Sequence, residues 1–308
     1  MGKYLFLLLF LCFFQLPGSA QVRKGDNSAD IHFVIPVKIH RTANSSQNRA
    51  SHDSGRFYND QAILKLPSGY SPSGKPTRLI YCAHGAGGGV TSDNWFLNNY
   101  ALIDTLLANG YAVFDVNGGQ SVENMGGPMV VKSAFHAYLY ILKHYNIKKK
   151  IFVIGLSMGG LSSTNFIFKY PELVLAQGLF SAVLDLHAQA WEHPWLPTTR
   201  QAIAMAFEFN DRTGKTWENN KVKGWNPMLR NIAVRGKDTL KSYPVPLKIW
   251  HGRGDQIVQE HFSCDFQRYI LNGGGSCELH EPDSDDHGLS CGNPLINHEL
   301  MLFFRKME

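Results

Sequence analysis

The sequence predicts an α/β protein with a doubly wound, mostly parallel sheet. Its 308 residues and 44% hydrophobic content are enough for one large domain with a substantial core. Short apolar segments rich in β-branched and aromatic residues alternate with longer segments of helical pattern, and several of the short segments end in glycine-rich turns. Strands and helices that alternate in this way form a parallel sheet with right-handed crossovers.

Residues 1–20 have the pattern of a secretory signal peptide. Lys3 precedes an apolar stretch at residues 4–14, and small residues follow before Gln21. That stretch is short for a transmembrane helix. We therefore predict a domain of residues 21–308 that is secreted or periplasmic and leaves the membrane once the signal is removed. A retained membrane anchor is the alternative.

The domain is predicted to open with an antiparallel hairpin, because two strand patterns at residues 31–39 and 57–66 flank a polar loop. Strands and helices then alternate. In chain order they are a strand at 78–83, a helix at 94–109, a strand at 111–116, a helix at 129–145, a strand beginning at 151, a helix at 161–170, strands at 176–185, 245–250 and 276–281, and a closing helix at 295–306.

One long stretch, residues 187–243, breaks this alternation. It contains a helical pattern at residues 199–209 and four tryptophans: Trp191, Trp195, Trp217 and Trp225. Long insertions between strands are usually functional. We predict a helical cap beside the functional site, in which the tryptophans either fill the core or form a binding platform for a sugar or an aromatic ring.

The strand that begins at Ile151 leads into a G-x-S-x-G turn centred on Ser157. Gly155 and Gly159 relieve crowding where the backbone reverses, so that a serine at the tip can expose its hydroxyl. A helical segment follows and stops before Pro171. This context predicts a nucleophilic serine, and a glycine-serine turn without chemistry is the alternative.

The strand at residues 78–83 runs directly into a glycine-rich turn that begins with His84 and Gly85. Such a turn exposes backbone N–H groups, which can bind an oxyanion. The phosphate-binding patterns that use similar turns are missing. We interpret His84 as a hydrogen-bonded support for the turn.

A base and an acid for Ser157 occur later in the chain, in the order serine, acid, histidine. Asp255 lies in a glycine turn after a strand, and His287 lies in a polar loop after the last strand. Asp185 also ends a strand and is the main competitor for the acid. His251, at the end of the strand before Asp255, is predicted to be structural.

Together these motifs resemble those of the α/β-hydrolase superfamily. From Arg78 onward the chain is similar to secreted esterases and to the catalytic domain of prolyl-oligopeptidase-like serine hydrolases. The resemblance implies an α/β-hydrolase fold in which Ser157 is the nucleophile, Asp255 the acid and His287 the base.

The resemblance also implies an oxyanion hole formed by the N–H of Met158 and that of Ala86 or Gly87. The region before Arg78 has no room for the N-terminal propeller of the true oligopeptidases. The sequence therefore predicts hydrolysis of a carboxylic ester, with carbohydrate-linked and aromatic esters as candidate substrates. The alternatives are a peptidase of the oligopeptidase type and a binding protein without activity.

No other partner class is indicated. The sequence lacks H-E-x-x-H and paired C-x-x-C, so neither a metal nor another cofactor is predicted. The net charge of +5 is spread thinly, and its one basic run, at residues 148–150, is explained by a helix end, so no nucleic-acid partner is predicted.

Export would allow disulfides among the cysteines beyond residue 20. Cys82 lies inside a predicted strand and suggests a buried thiol. We predict a bridge between Cys277 and Cys291, which flank His287, because it would close a short loop and clamp the segment that carries the base. Cys264 is the alternative partner for either one.

Overall fold

The protein is described by a computed structural model that covers residues 30–38, 57–90, 95–119, 123–192, 198–207, 222, 224–229 and 243–308. Eight strands form one sheet in the order β1-β2-β4-β3-β5-β6-β7-β8. The strands are β1 Asp30–Lys38, β2 Phe57–Lys65, β3 Arg78–Ala83, β4 Tyr111–Val116, β5 Ile151–Leu156, β6 Val174–Phe180, β7 Leu247–Trp250 and β8 Cys277–His280. β2 pairs antiparallel with β1 and β4, and every other neighbouring pair is parallel. The mostly parallel sheet predicted from the sequence is confirmed.

Helices cover both faces of this sheet. The α-helices of the described residues are α1 Trp95–Asn99, α2 Ala101–Ala108, α3 Pro128–His144, α4 Gly159–Lys169, α5 Thr199–Ala206, α6 His261–Asn272, α7 Leu289–Gly292 and α8 Pro294–Lys306. One core cluster joins one face of the sheet to α3, α4 and α6, and a second joins the other face to α1, α2 and α8. Alternate residues of β3 show the division, because Tyr81 belongs to the first cluster and Cys82 to the second. The doubly wound arrangement is therefore confirmed.

Three of the differences from the sequence prediction have a clear physical reading. The helix expected at 94–109 is two helices, because Tyr100 between them has an extended backbone with φ −111° and ψ 128°. The strand expected at 176–185 ends at Phe180, because Ser181 has a φ of +43°, which no strand residue adopts. Helix α6 was not predicted, although Phe262, Phe266 and Ile270 recur on its buried side.

The predicted Cys277–Cys291 bridge is not present in the structure, in which both thiols are free. Cys277 belongs to the core cluster on one face of the sheet and Cys291 to the cluster on the other face. The sheet therefore separates the two sulfur atoms. Cys82 and Cys264 are also free thiols, and Cys82 is fully buried, as the sequence indicated.

Among the helices in the described ranges, none has the length and apolar character that crossing a membrane requires. The proposed signal segment, residues 1–20, lies outside the described residues.

Candidate active site

Ser157 sits on a sharp turn between β5 and α4. Its φ of +52° lies in the left-handed region, which costs energy for any residue other than glycine and is a mark of functional strain. The turn is held from two sides, because Ser157 N–H donates to the carbonyl of Phe180 at 3.0 Å and its own carbonyl accepts from Val183 N–H at 2.8 Å. A side chain at position 159 would collide with the carbonyls of Ala83 and His84. Glycine at that position therefore lets the turn lie directly against the end of β3.

The serine, histidine and acid singled out in the sequence form one hydrogen-bonded chain. His287 Nε2 lies 2.9 Å from Ser157 Oγ, and His287 Nδ1 lies 2.7 Å from Asp255 Oδ2. Asp255 and Ser157 are buried, whereas the His287 side chain is 18% exposed. The three residues come from the ends of β5, β7 and β8, where open α/β sheets bind their ligands.

Asp255 is held as a carboxylate by the groups around it. Burial opposes the charge, but hydrogen bonds from His251 and His287 and from backbone amides outweigh that cost, so that the pKa of Asp255 lies well below its usual range. Its Oδ1 accepts from the N–H groups of Ile257 at 2.9 Å and Val258 at 3.1 Å. The charge is thus fixed beside the imidazole of His287.

The loops that carry Asp255 and His287 are joined to each other by backbone hydrogen bonds. Gly254 N–H donates to the carbonyl of Ser284 at 2.8 Å, and a side chain at Gly252 would lie 2.6 Å from that same carbonyl. The two glycines allow the loops to touch, and this contact sets the spacing between acid and base.

Asp185, the competing candidate for the acid, lies elsewhere. Its Oδ1 accepts from the N–H groups of His187 at 3.0 Å and Ala188 at 3.2 Å and from Asn226 Nδ2 at 2.9 Å. It therefore organises the start of the insertion, and the structure places Asp255 beside His287.

The predicted oxyanion turn lies against Ser157. Gly88 N–H donates to the Gly85 carbonyl at 3.2 Å, and Gly87 between them has a φ of +75°. A Cβ added to Gly85 would lie 3.4 Å from Ser157 Cβ. The tight turn places the backbone of Ala86 and Gly87 on the loop that touches the serine. Their role as oxyanion donors, with Met158, remains a prediction.

His84 supports this turn from below. Its Nδ1 lies 2.9 Å from Asp115 Oδ2, and both side chains are buried. A side chain at Gly88 would lie 3.2 Å from His84 Cδ2, so the imidazole is packed under the turn. Asp115 is fixed in turn by the N–H of Val116 at 2.8 Å. This pair is separate from the Ser157–His287–Asp255 chain.

The described part of the insertion packs onto the site. One apolar cluster combines Ala202 and Ile203 of α5 with Met158 and Leu161 at the nucleophile turn and with Val258 of the acid loop. A cap at residues 187–243 stays a prediction as a whole, because much of that range lies outside the described residues.

Two of the four tryptophans can be placed. Trp191 is half-buried between His187, whose ring stacks on it at 5.4 Å, and the Arg200 guanidinium at 5.1 Å. Trp225 is half-buried against the same apolar cluster. Trp195 and Trp217 lie outside the described residues.

Within the described ranges, one set of side chains could be considered for a metal. Donor atoms of Glu260, Cys264 and Glu281 lie within 4.8 Å of one another. Burial and the two carboxylates raise the pKa of Cys264 to about 12, so its sulfur is a protonated thiol that donates to Glu260 at 2.6 Å. The set is thus satisfied by its own hydrogen bonds.

Comparison with known proteins supports the fold. No protein-family profile matches the chain. Over 138 residues the sequence is 28% identical to protein phosphatase methylesterase 1 of Candida albicans. This match covers 44% of this chain and 36% of that protein. A Pyrococcus horikoshii acylaminoacyl peptidase matches with a TM-score of 0.64 at 14% identity over 92% of this chain and 42% of its own. S-formylglutathione hydrolase from Staphylococcus aureus matches with a TM-score of 0.60 at 16% identity, over 88% of this chain and 98% of its own.

The chain thus spans less than half of the methylesterase and of the peptidase. It has the α/β-hydrolase fold, as the resemblance in its motifs implied, with a serine, a histidine and an aspartate joined at the carboxyl ends of its strands.

Proposed function

We propose that this protein is a serine hydrolase that cleaves carboxylic esters through an acyl-enzyme. The observation that carries the proposal is the hydrogen-bonded chain from Ser157 through His287 to Asp255 on a strained turn. A buried serine with positive φ, 2.9 Å from an imidazole that a carboxylate orients, is the arrangement that nucleophilic acyl transfer requires.

The reaction follows from this geometry. Ser157 Oγ attacks the ester carbonyl carbon while His287 Nε2 takes its proton, and Asp255 stabilises the imidazolium through Nδ1. The N–H groups of Met158 and of the turn at Ala86 and Gly87 would receive the oxyanion.

The tetrahedral intermediate collapses when His287 returns its proton to the departing alcohol. Water then attacks the acyl-serine with the same imidazole as base, which releases the acid and restores Ser157. No step needs a cofactor.

Two comparisons support an ester substrate. S-formylglutathione hydrolase, which by its name acts on an S-acyl (thioester) substrate, is matched over 98% of its length, and the curated relative is a methylesterase. The match to an acylaminoacyl peptidase favours a second candidate, hydrolysis of peptide-like amides. Esters with an aromatic or sugar group remain candidate substrates because of the tryptophans of the insertion. The signal pattern of residues 1–20 adds that the protein acts as a secreted or periplasmic enzyme.

A substrate panel tests the proposal. Purified protein and its Ser157→Ala variant are assayed with short and long p-nitrophenyl esters, feruloyl esters, acetylated sugars and acyl-aminoacyl and prolyl amides. We expect ester turnover that the variant loses by several orders of magnitude. Turnover of amides but not esters would favour the peptidase, and equal rates for both proteins would refute a serine mechanism.

A further inference from the structure

The histidine that ends β7 lies behind the acid of the catalytic chain. His251 is fully buried, and both of its ring nitrogens have partners. Nε2 lies 2.8 Å from the Val258 carbonyl and 3.3 Å from Asp255 Oδ2. Nδ1 lies 2.7 Å from Ser263 Oγ, in the first turn of α6.

These partners determine where the hydrogen of a neutral His251 ring resides. The Val258 carbonyl oxygen can only accept, so Nε2 must carry a hydrogen. That N–H also faces the Asp255 carboxylate, which likewise only accepts. Nδ1 is then free to accept the hydroxyl hydrogen of Ser263, a side chain that is itself fully buried. A neutral ring with its hydrogen on Nε2 therefore satisfies all three neighbours.

Two imidazoles therefore meet the same oxygen of Asp255: His287 donates a short hydrogen bond, and His251 directs an N–H that it shares with the Val258 carbonyl. His287 approaches Oδ2 at 2.7 Å and His251 approaches it at 3.3 Å, while two backbone amides occupy Oδ1. A carboxylate with donors on both oxygens cannot rotate without losing some of them. Its plane, and with it the direction in which it holds His287, depends on all four donors.

We propose that His251 is a positioning residue for the reaction, which holds Asp255 in the plane that orients His287 and whose own tautomer is set by the Val258 carbonyl, with Ser263 donating to Nδ1. The proposal rests on the proposed function, in which His287 is the base. The extended chain runs from Ser157 through His287, Asp255 and His251 to Ser263, and its last two members contact neither the nucleophile nor the base.

Two substitutions at position 251 separate positioning from packing. A glutamine places its terminal amide about where the imidazole has Nε2, so His251→Gln keeps a donor toward Asp255 and Val258. An asparagine reaches only about as far as Nδ1, so His251→Asn keeps a partner for Ser263 and loses the donor toward Asp255. Both variants are neutral and both lose the ring.

We expect His251→Asn to lower kcat by about ten- to hundredfold with little change in KM, because the misplaced group acts on orientation and touches no substrate. His251→Gln is expected to keep kcat within about threefold of the wild type. Thermal unfolding of each variant monitors packing. Equal losses in both variants, or an unchanged kcat in His251→Asn, would overturn the proposal.

A measurement on the unchanged protein covers the case in which His251→Asn does not fold. Nitrogen NMR of the histidine rings distinguishes a protonated Nε2 from a protonated Nδ1. We expect the His251 ring with hydrogen on Nε2, and hydrogen on Nδ1 alone would overturn the assignment.

Covalent labelling of Ser157 by a fluorophosphonate keeps this proposal distinct from the proposed function. If Ser157 is labelled equally fast in the wild type and in folded His251→Asn, the positioning role of His251 is refuted and the proposed hydrolase function is unaffected. No labelling in the wild type would refute both.

Discussion

Replacing Asp255 by asparagine removes one charge from the active site with almost no change in volume. The amides of Ile257 and Val258 require an acceptor at Oδ1, so the new side chain must keep its carbonyl there. Its NH2 group then faces His287 Nδ1, which lies 2.7 Å from the present Oδ2. Two donors cannot share that contact, so the imidazole must move its hydrogen to Nε2. An Nε2–H directed at Ser157 Oγ cannot take the proton of the nucleophile.

The loss from this wrong tautomer is expected to be about 10⁴-fold in kcat. The assay is steady-state hydrolysis of the best ester from the substrate panel, with circular dichroism to show that the variant is folded. A kcat within about tenfold of the wild type would refute the assignment of Asp255.

Asp185→Asn is the matched control for that experiment. Every hydrogen bond recorded for the Asp185 side chain within the described ranges ends on Oδ1, which asparagine retains. We expect its kcat to change by less than about tenfold. A larger loss in Asp185→Asn than in Asp255→Asn would transfer the role of the acid to Asp185.

Three further predictions follow from contacts around the site. Asp115→Asn, which weakens the support of His84 beneath the oxyanion turn, is expected to lower kcat by about 10- to 100-fold with little change in KM, and a rise in KM alone would contradict that reasoning. Because the folded-state pKa of Asp255 is depressed, its stabilisation is present above the unfolded pKa of about 3.9 and is lost as pH falls toward the folded value. The free energies of unfolding of wild type and Asp255→Asn, measured in urea, should therefore differ less below about pH 4. A constant difference would argue against a charged Asp255 carboxylate in the folded protein. Peptide mapping without reduction should find free thiols at Cys264, Cys277 and Cys291, whereas a linked Cys277–Cys291 peptide would contradict the structure.

The sharp turn that carries Ser157 could be predicted from the sequence because its signal is local. Gly155, Ser157 and Gly159 lie within one turn, and each glycine is required by a contact made at that turn. The same holds for the glycine-rich turn after β3. The order of strands and helices was also predictable, since a fully apolar strand such as β5 differs in composition from the helices beside it.

The choice between the two acids could not be made with the same certainty. Asp185 and Asp255 both follow strands, and only the pairing of β7 with β8 brings one of them to His287. That pairing depends on contacts between distant segments, such as the one between Gly254 and Ser284.

The disulfide prediction was wrong for a related reason. The short separation of Cys277 and Cys291 in sequence favours a bridge, but Cys277 points to one face of the sheet and the chain passes to the other face before Cys291. The contact of His251 with Asp255 was missed as well. The only local sign of this contact in the sequence is that His251 and Asp255 are four residues apart in the loop after β7.

The central claim is that Ser157 is a nucleophile activated by His287. Its most direct test is reaction with a fluorophosphonate probe, followed by mass spectrometry of the labelled peptides in the wild type, Ser157→Ala and His287→Ala. We predict a single adduct on Ser157 in the wild type, no adduct in Ser157→Ala, and labelling slowed by at least about a hundredfold in folded His287→Ala. An adduct on another residue, or equally fast labelling of Ser157 without His287, would contradict the mechanism.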